Sequence, residues 1–312
     1  MNLLRREFLA VGSALLAGAG SAVAADAKRK FTIDLRWGSI GVKTDQVGAI
    51  ELAAKHGFES VAASPYELAK LSDAQSDEIV GLLKAKGLVW GSAGLPVEFR
   101  QDAARFEDDL KQLPERAAAI QRAGGSRMGT WLMPCHDELT YMANFKQHAT
   151  RLREVAKILK DNGLGFGLEY VGTQSLRVSK KYPFVHTMKE TLDLHDQIGV
   201  DNMGLVLDSW HWFTAGESAD EIRQLNASQV VGCDLNDAPK GRSMAEQQDD
   251  ERELPAATGV IDVKSFLDAL VAIGYDGPVR AEPFNQPLNQ LDNDAACSKT
   301  AAAIKKAFNQ IG

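Results

Sequence analysis

Short apolar runs alternate with helical segments about eight times along the 312 residues of this chain. Apolar runs of this kind are typical of buried parallel strands. We predict strands over residues 31–37, 59–64, 88–94, 126–133, 165–170, 203–208, 229–234 and 277–282. Between them, apolar residues recur at helical spacing, which predicts helices near residues 44–56, 73–86, 103–123, 141–162, 184–198, 219–225, 263–273 and 295–308.

This alternation predicts an α/β fold. Successive strand–helix units place the strands in parallel, joined by right-handed crossovers. Eight units in roughly 280 residues fit a closed (β/α)8 TIM barrel. An open doubly wound sheet is the alternative, but no glycine-rich nucleotide fingerprint follows the first strand. We therefore expect a single barrel domain over residues 31–312.

Residues 1–24 have the pattern of a cleavable export signal. Arg5 and Arg6 precede a stretch of apolar and small residues, and an A-x-A cleavage site follows at 22–24. The segment LRREFLA resembles a twin-arginine signal; a Sec signal and an uncleaved anchor are the alternatives. The apolar part is short for a stable bilayer span. We expect a periplasmic or otherwise exported protein with no stable membrane span after processing.

Composition narrows the possible partners and cofactors. The formal net charge is -7, and an acidic surface repels phosphate backbones, so we expect no nucleic-acid partner. The three cysteines, Cys135, Cys233 and Cys297, are widely spaced and form no CxxC motif. This spacing argues against a disulfide framework and a thiolate zinc site. The oligomeric state stays open, with a homo-oligomer as one possibility.

Four acidic residues stand at the ends of the last four predicted strands. They are Glu169 in GFGLEY, Asp208 in MGLVLD, Asp234 in VVGCD and Glu282 in GPVRAE. A carboxylate at the end of a buried strand is costly unless it meets a metal, a proton or a cation. Neighbouring strands lie ~4.8 Å apart, so four such acids can converge on one point. Each acid alone could be a helix cap or a loop charge, but four in register favour a shared site.

At the last four predicted strands, the residues resemble those of the xylose-isomerase-like TIM barrels, often described as sugar phosphate isomerases/epimerases. The segments LEYVG, GLVLDSWHWF, DLNDAP and GYDGPVRAEPF carry the resemblance, which covers essentially the whole mature chain. It implies a carbohydrate substrate and one divalent cation held by acids at four late strand ends. By position these ligands are Glu169, Asp208, Asp234 and Glu282.

The same resemblance implies further roles. The two glutamates would also form the acid/base pair, and His211 and Arg252 would contact the substrate. One position departs from the family: its third ligand is typically His, and Asp234 stands there. An all-carboxylate site suits Mn²⁺ or Mg²⁺ more than Zn²⁺, with Co²⁺ or Zn²⁺ still possible. This change raises four alternatives: a protonated acid, a second cation, a nitrogen ligand from His211, or loss of the metal.

Such a site can enolise a sugar. A bound metal polarises the carbonyl, and Glu169 and Glu282 could remove and return the neighbouring proton. Arg252 could stabilise the oxyanion, as could Arg177, which is more simply a surface charge.

Several residues near predicted strand ends could contact the substrate. Trp37 and Trp210 could stack on a sugar ring, as could Trp131 and Trp212, or these rings could pack against the barrel wall. His136 lies on the same predicted face, with a surface position as its alternative. Residues 238–259 form a long irregular stretch after strand seven, which is either functional or a solvated surface.

The leading hypothesis is a divalent-metal-dependent isomerase or epimerase that acts on an extracytoplasmic sugar. A lyase or dehydratase acting on a keto-sugar or keto-glycoside could use the same site. A non-catalytic sugar-binding protein is an alternative from another class. A DNA-repair endonuclease on the same barrel would need a three-zinc site with many histidines. The chain has six His, few of them at predicted strand ends, which argues against this class.

Overall fold

The structure is a computed structural model that describes residues 28–312. The expected export signal at residues 1–24 lies outside this range. The strands are β1 (Thr32–Leu35), β2 (Ser60–Val61), β3 (Val89–Trp90), β4 (Ala93–Gly94), β5 (Arg127–Trp131), β6 (Cys135–His136), β7 (Gly165–Glu169), β8 (Tyr182–Pro183), β9 (Met203–Asp208), β10 (Val230–Asp234) and β11 (Pro278–Arg280). The α-helices are α1 (Gln46–His56), α2 (Pro65–Leu68), α3 (Asp73–Ala85), α4 (Ala103–Arg122), α5 (Tyr141–Asp161), α6 (Gln174–Arg177), α7 (Met188–Ile198), α8 (Ser209–Ala215), α9 (Ala219–Arg223), α10 (Val263–Ala272), α11 (Gln286–Asn289) and α12 (Asn293–Phe308).

Nine of these strands form one parallel sheet in the order β3-β2-β1-β11-β10-β9-β7-β5-β4. The two end strands belong to one short segment, 89–94, whose first half pairs with β2 and whose second half pairs with β5. The sheet therefore closes on itself with eight strand positions, and the predicted (β/α)8 barrel is confirmed. The third strand is split at Gly91, where a Cβ atom would lie 2.2 Å from the Asp34 carboxylate.

Capping residues define where the outer helices begin and end. Asp102 accepts a hydrogen bond from the Arg105 amide at 2.9 Å before α4, and Asp292 accepts one from the Ala295 amide at 2.8 Å before α12. Each bond satisfies a backbone N–H that the first helical turn leaves free. Gly57 ends α1 with φ of 72°, a conformation that favours glycine. These local signals explain why the predicted helix boundaries agree closely with the observed ones.

Glycines on two strands make room for a valine side chain in the barrel interior. A Cβ atom on either Gly129 or Gly167 would lie 2.8 Å from Cγ2 of Val206. Strands β5 and β7 therefore approach β9 more closely than larger residues would permit. The packed interior closes the barrel beneath its carboxyl-terminal face.

Trp210 and Trp212 follow the predicted strand 203–208, and the chain turns directly into a helix there. Both belong to helix α8, because the Asp208 carboxylate accepts a hydrogen bond from the Trp210 amide at 2.7 Å and caps the helix. An acid at the end of β9 thus ends the strand and starts a helix within one residue. Trp212 packs against Phe266 of α10, with ring centroids 5.4 Å apart.

Within residues 28–312, none of the helices is both long enough and apolar enough to cross a lipid bilayer.

Candidate active site

The four predicted acids meet at the carboxyl-terminal edge of the barrel. Strands β7, β9, β10 and β11 are neighbours in the sheet. One oxygen each from Glu169, Asp234 and Glu282 lies within 4.8 Å of the others. Ligand atoms of Glu169, Asp208 and His211 form a second group of the same size. The two groups share Glu169, so the described residues hold one continuous cluster.

Asp208 is completely buried and fully hydrogen-bonded. Its Oδ1 accepts from the Trp210 amide at 2.7 Å and from Asn236 Nδ2 at 3.0 Å, while Oδ2 accepts from Arg252 Nη1 at 2.7 Å. Burial raises the pKa of Asp208 to about 7, although the Arg252 charge opposes the shift. The hydrogen bonds hold the carboxylate in a single orientation toward the cluster.

Arg252 brings the long loop (residues 238–259) into the site. Its Nη2 donates to Asp249 at 3.0 Å and lies 3.2 Å from His211 Nε2. Its guanidinium lies 5.4 Å from the Trp210 ring centroid and 4.6 Å from that of Phe284. The loop was expected to be either functional or a solvated surface. The part that carries Asp249 and Arg252 lies in the site, which supports a functional role for that part. Asp249 has no counterpart among the predicted site residues.

Asp234 pairs with Arg280, a residue that the sequence reasoning did not select. Arg280 Nε and Nη2 donate to the two Asp234 oxygens at 2.7 and 3.0 Å. Burial opposes ionisation, yet the Arg280 guanidinium holds the pKa of Asp234 below its ordinary value. The available signal was strand parity: Arg280 precedes Glu282 by two residues, so both side chains point to the same side of the strand.

Glu169 has the least satisfied carboxylate of the cluster. Its Oε1 is buried and has no hydrogen-bond donor within the described range. Burial raises the pKa of Glu169 well above its usual range, and the charges of Asp234 and Glu282 raise it further. A buried, unpartnered carboxylate oxygen that faces other acids is a suitable donor for a divalent cation.

Charge counting supports the same fit. The acid cluster and Asp249 supply five carboxylates, whereas three guanidinium groups, those of Arg36, Arg252 and Arg280, pair with them. Asp34, buried on β1, adds a further carboxyl group near Arg280 and Asp234, so carboxyl groups outnumber guanidinium groups in the site. The acidic cluster could therefore hold a divalent metal, and its oxygen-rich donor set does not select a specific ion.

His211 is a buried, neutral imidazole beside the acids. Its Nε2 lies 3.8 Å from Glu169 Oε1 and 3.8 Å from Asp208 Oδ2. Burial lowers the pKa of His211 to about 3, and the Arg252 charge acts in the same direction. A neutral imidazole can supply a nitrogen ligand or a hydrogen bond, so both predicted roles for His211 stay open.

A cavity of about 350 Å³ opens directly above the cluster. Its lining includes the polar groups Glu169, His211, Asp249, Arg252 and Glu282, together with Trp131 and Phe284. An adjoining cavity of about 370 Å³ shares Arg36, Glu282 and Phe284 with the first and is lined by Trp37. Phe284 has φ of 42°, an uncommon conformation for a non-glycine residue that often marks functional sites.

Two predicted substrate contacts lie elsewhere. Trp210 is buried behind Arg252, outside the lining of the cavity, and its Nε1 donates to Thr173 Oγ1 at 2.9 Å. His136 lies beside a different cavity, and its Nδ1 accepts from the amides of Glu138 and Leu139 at 3.0 and 2.9 Å. The geometry thus corrects both assignments: Trp210 supports Arg252, and His136 caps a turn. Arg177 is also outside the lining of the cavity.

Curated relatives carry sugar-isomerase and dehydratase names. An inosose isomerase of Bacillus velezensis is 27% identical over 167 residues, 52% of this chain and 56% of the relative. A D-psicose 3-epimerase of Ruminiclostridium cellulolyticum is 26% identical over 248 residues, 75% of this chain and 77% of the relative. A 3-dehydroshikimate dehydratase of Pseudomonas aeruginosa is 30% identical over 140 residues, 44% of this chain and 20% of the relative. The chain spans about half the length of the inosose isomerase.

Solved structures share the barrel. A xylose isomerase domain protein from Alicyclobacillus acidocaldarius subsp. acidocaldarius superimposes with a TM-score of 0.77 at 30% identity, over 87% of this chain and 96% of that protein. A protein named IOLI, determined with a bound zinc atom, gives a TM-score of 0.74 at 18% identity, over 90% of this chain and 99% of that protein. A family model described as xylose isomerase-like TIM barrel matches residues 50–307. The chain therefore belongs to the xylose isomerase-like TIM barrel family.

Proposed function

We propose that this protein is a divalent-metal-dependent sugar isomerase or epimerase. The observation that carries the proposal is the convergence of Glu169 and Glu282, which bring carboxylate oxygens within 4.8 Å of each other and of Asp234 beneath a cavity. Two carboxylates that face one small cavity can act as a base and an acid on the same substrate carbon.

Glu169 and Glu282 would hold the ion through their converging oxygens, with Asp208 and Asp234 as the other acids in reach. When bound, a divalent cation polarises the carbonyl of the sugar and makes the neighbouring C–H more acidic. We propose Mn²⁺ or Mg²⁺, because hard cations favour carboxylate oxygens, with Co²⁺ and Zn²⁺ as further candidates.

The protein's own groups supply the proton transfers. One of the two glutamates removes the proton next to the carbonyl, and the other returns it to the same or the adjacent carbon. The negative charge that develops on oxygen faces the guanidinium of Arg36 in the cavity lining. His211 accepts from Arg252 at Nε2, so its neutral ring can donate only through Nδ1–H. Arg252 acts behind them by fixing Asp208 and His211.

Aromatic rings around the cavity suit a small carbohydrate. Trp131 lines the main cavity with 42% of its surface exposed, and Phe284 lines both cavities with 39% exposed. Trp37 lines the adjoining cavity. Their apolar faces can pack against C–H groups of a sugar, while the acids bind its hydroxyls. The predicted export signal further suggests an extracytoplasmic sugar and a periplasmic location.

A lyase or dehydratase is the second candidate. Its first step is the same proton removal, but a group β to the carbonyl then leaves. The dehydratase relative favours this alternative. A sugar-binding protein without catalysis is the third candidate, and it predicts binding without proton exchange.

Proton exchange tests the three candidates directly. The protein would be incubated in D₂O with Mn²⁺ and a panel of keto-sugars and keto-glycosides, and NMR would follow deuterium at the carbon next to the carbonyl. We expect exchange and a rearranged sugar for an isomerase or epimerase. Exchange with an unsaturated product would favour the lyase. Sugar binding without exchange in any sample would contradict an enzymatic function.

A further inference from the structure

Asp234 and Arg280 form a neutral pair inside the ion site. They occupy paired positions on β10 and β11, directly opposite one another in the sheet register. Both are buried, and their two hydrogen bonds, at 2.7 and 3.0 Å, use both oxygens of Asp234. This fork geometry is the strong, bidentate form of an Arg–carboxylate contact. The pair is therefore a fixed part of the barrel rather than a surface contact.

Asp234 gives both of its oxygens to one guanidinium, whereas Asp208 meets Arg252 through Oδ2 alone and Glu282 meets Arg36 through Oε1. Oε1 of Glu169 has no hydrogen-bond donor within the described residues, so its charge is free to meet a cation. The charge of Asp234 is already neutralised by the Arg280 guanidinium, which is hydrogen-bonded to it.

We propose that Asp234 acts on the ion through Arg280: it neutralises the arginine in the floor of the site, while Glu169 and Glu282, whose oxygens converge, supply the direct oxygen ligands. Arg280 is then a positioning residue, and together with Asp234 it adds no net charge beside the ion. This inference rests on the proposed ion site but not on the proposed reaction. It predicts that Asp234 matters for the ion only while Arg280 is present.

Three variants separate this role from that of a direct ligand. Asp234→Asn leaves the Arg280 charge without its hydrogen-bonded partner, and repulsion should weaken ion binding by about tenfold or more. Arg280→Met leaves a free carboxylate, which should tighten binding by about tenfold or allow a second ion. The double variant Asp234→Asn/Arg280→Met replaces one neutral pair by another and should bind within about threefold of the natural protein.

Mn²⁺ binding to the purified full chain would be measured by electron paramagnetic resonance of free Mn²⁺ and by calorimetry, with circular dichroism and thermal unfolding as checks of the fold. The matched control is Asp276→Asn/Arg127→Met, which removes an Asp–Arg pair of 2.6 Å at the opposite end of the barrel. The control should leave Mn²⁺ affinity unchanged.

The double variant decides the outcome even if a single variant fails to fold. Recovery of Mn²⁺ affinity in the double variant supports the inference. A double variant that binds as weakly as Asp234→Asn, or that binds at least tenfold more weakly than the natural protein, shows that Asp234 is a direct ligand and overturns the inference alone. A natural protein that binds none of Mn²⁺, Mg²⁺, Co²⁺ and Zn²⁺ overturns both this inference and the proposed ion site.

Discussion

Arg252 and Asp208 are 44 positions apart in the chain, yet Nη1 of the arginine lies 2.7 Å from Oδ2 of the aspartate in a fully buried ion pair. The contact joins the long loop to the end of strand β9. Because each charge is removed from water, each depends on the other for compensation. The loop and the acid cluster are therefore energetically coupled.

We predict that Arg252→Met destabilises the ion-free protein by about 3 kcal/mol, because it leaves the Asp208 charge buried and uncompensated. A divalent ion can replace that compensation, so Mn²⁺ should raise the unfolding temperature of the variant more than that of the natural protein. Thermal unfolding with EDTA and with Mn²⁺ checks both statements. Arg242→Met is the control, because it removes an ion pair with Glu251 on the solvent-exposed part of the same loop. Equal unfolding temperatures of natural protein and Arg252→Met in EDTA would refute the coupling.

The two glutamates should be separately required for proton exchange. Glu169→Gln and Glu282→Gln keep the side-chain shape but remove the basic oxygen, so each should slow deuterium exchange by at least ~100-fold. Circular dichroism should show an unchanged fold. Glu221→Gln, in a capping box at the start of α9, should exchange at the natural rate. Natural activity in either site variant would remove that glutamate from the acid/base role.

Asp237 should control the order of the long loop. Its carboxylate accepts backbone hydrogen bonds from Ala238, Thr258, Gly259 and Ile261, at 2.8, 2.8, 2.7 and 3.0 Å, and so fastens both ends of the loop. In Asp237→Asn, one acceptor oxygen becomes an NH₂ donor that faces N–H groups. We expect a loss of about 2 kcal/mol in the free energy of unfolding, measured in urea.

The same substitution should make the loop accessible to protease, with cleavage between residues 238 and 259 identified by mass spectrometry. Asp250→Asn changes an exposed residue of the same loop and serves as the control. Cleavage at equal rates in both variants would show that Asp237 does not fasten the loop.

His148 should make the protein less stable in acid. Its ring is buried between Phe99 and Phe184, at centroid distances of 5.4 and 4.7 Å, and burial lowers its pKa from 6.5 to about 4. Between these pH values the unfolded chain binds the proton and the folded chain does not. Stability therefore falls as the pH drops from about 6.5 toward 4, by up to about 3 kcal/mol from this residue.

His148→Phe retains an aromatic ring and removes the titration. Urea unfolding between pH 4.5 and 7 should show a smaller pH dependence for the variant. A remaining slope is expected from His195, whose pKa burial also lowers to about 4. An unchanged slope in His148→Phe would contradict the assignment.

Local pattern was sufficient for the fold because each element carries its own signals. The apolar runs, the helical periodicity and the capping residues act over a few positions, and they predicted the eight-unit barrel. Position at a strand end also placed Glu169, Asp208, Asp234 and Glu282 together, since parallel neighbours end at one edge of the sheet. The predicted substrate contact of Trp210 was not found, because Asp208 caps a helix as soon as the strand ends and the Trp210 ring is buried outside the cavity lining.

What these acids face was decided only by the tertiary structure. Arg280 lies within a strand as one polar residue among apolar neighbours, and only the register of β10 and β11 places it on Asp234. Asp249 and Arg252 belong to a charged run whose sequence is equally typical of a solvated surface. Only the folded structure brings Arg252 into contact with Asp208. Periodicity reports which face of an element is buried, whereas the partner of a buried charge depends on residues far away in sequence, for which a single chain contains no local signal.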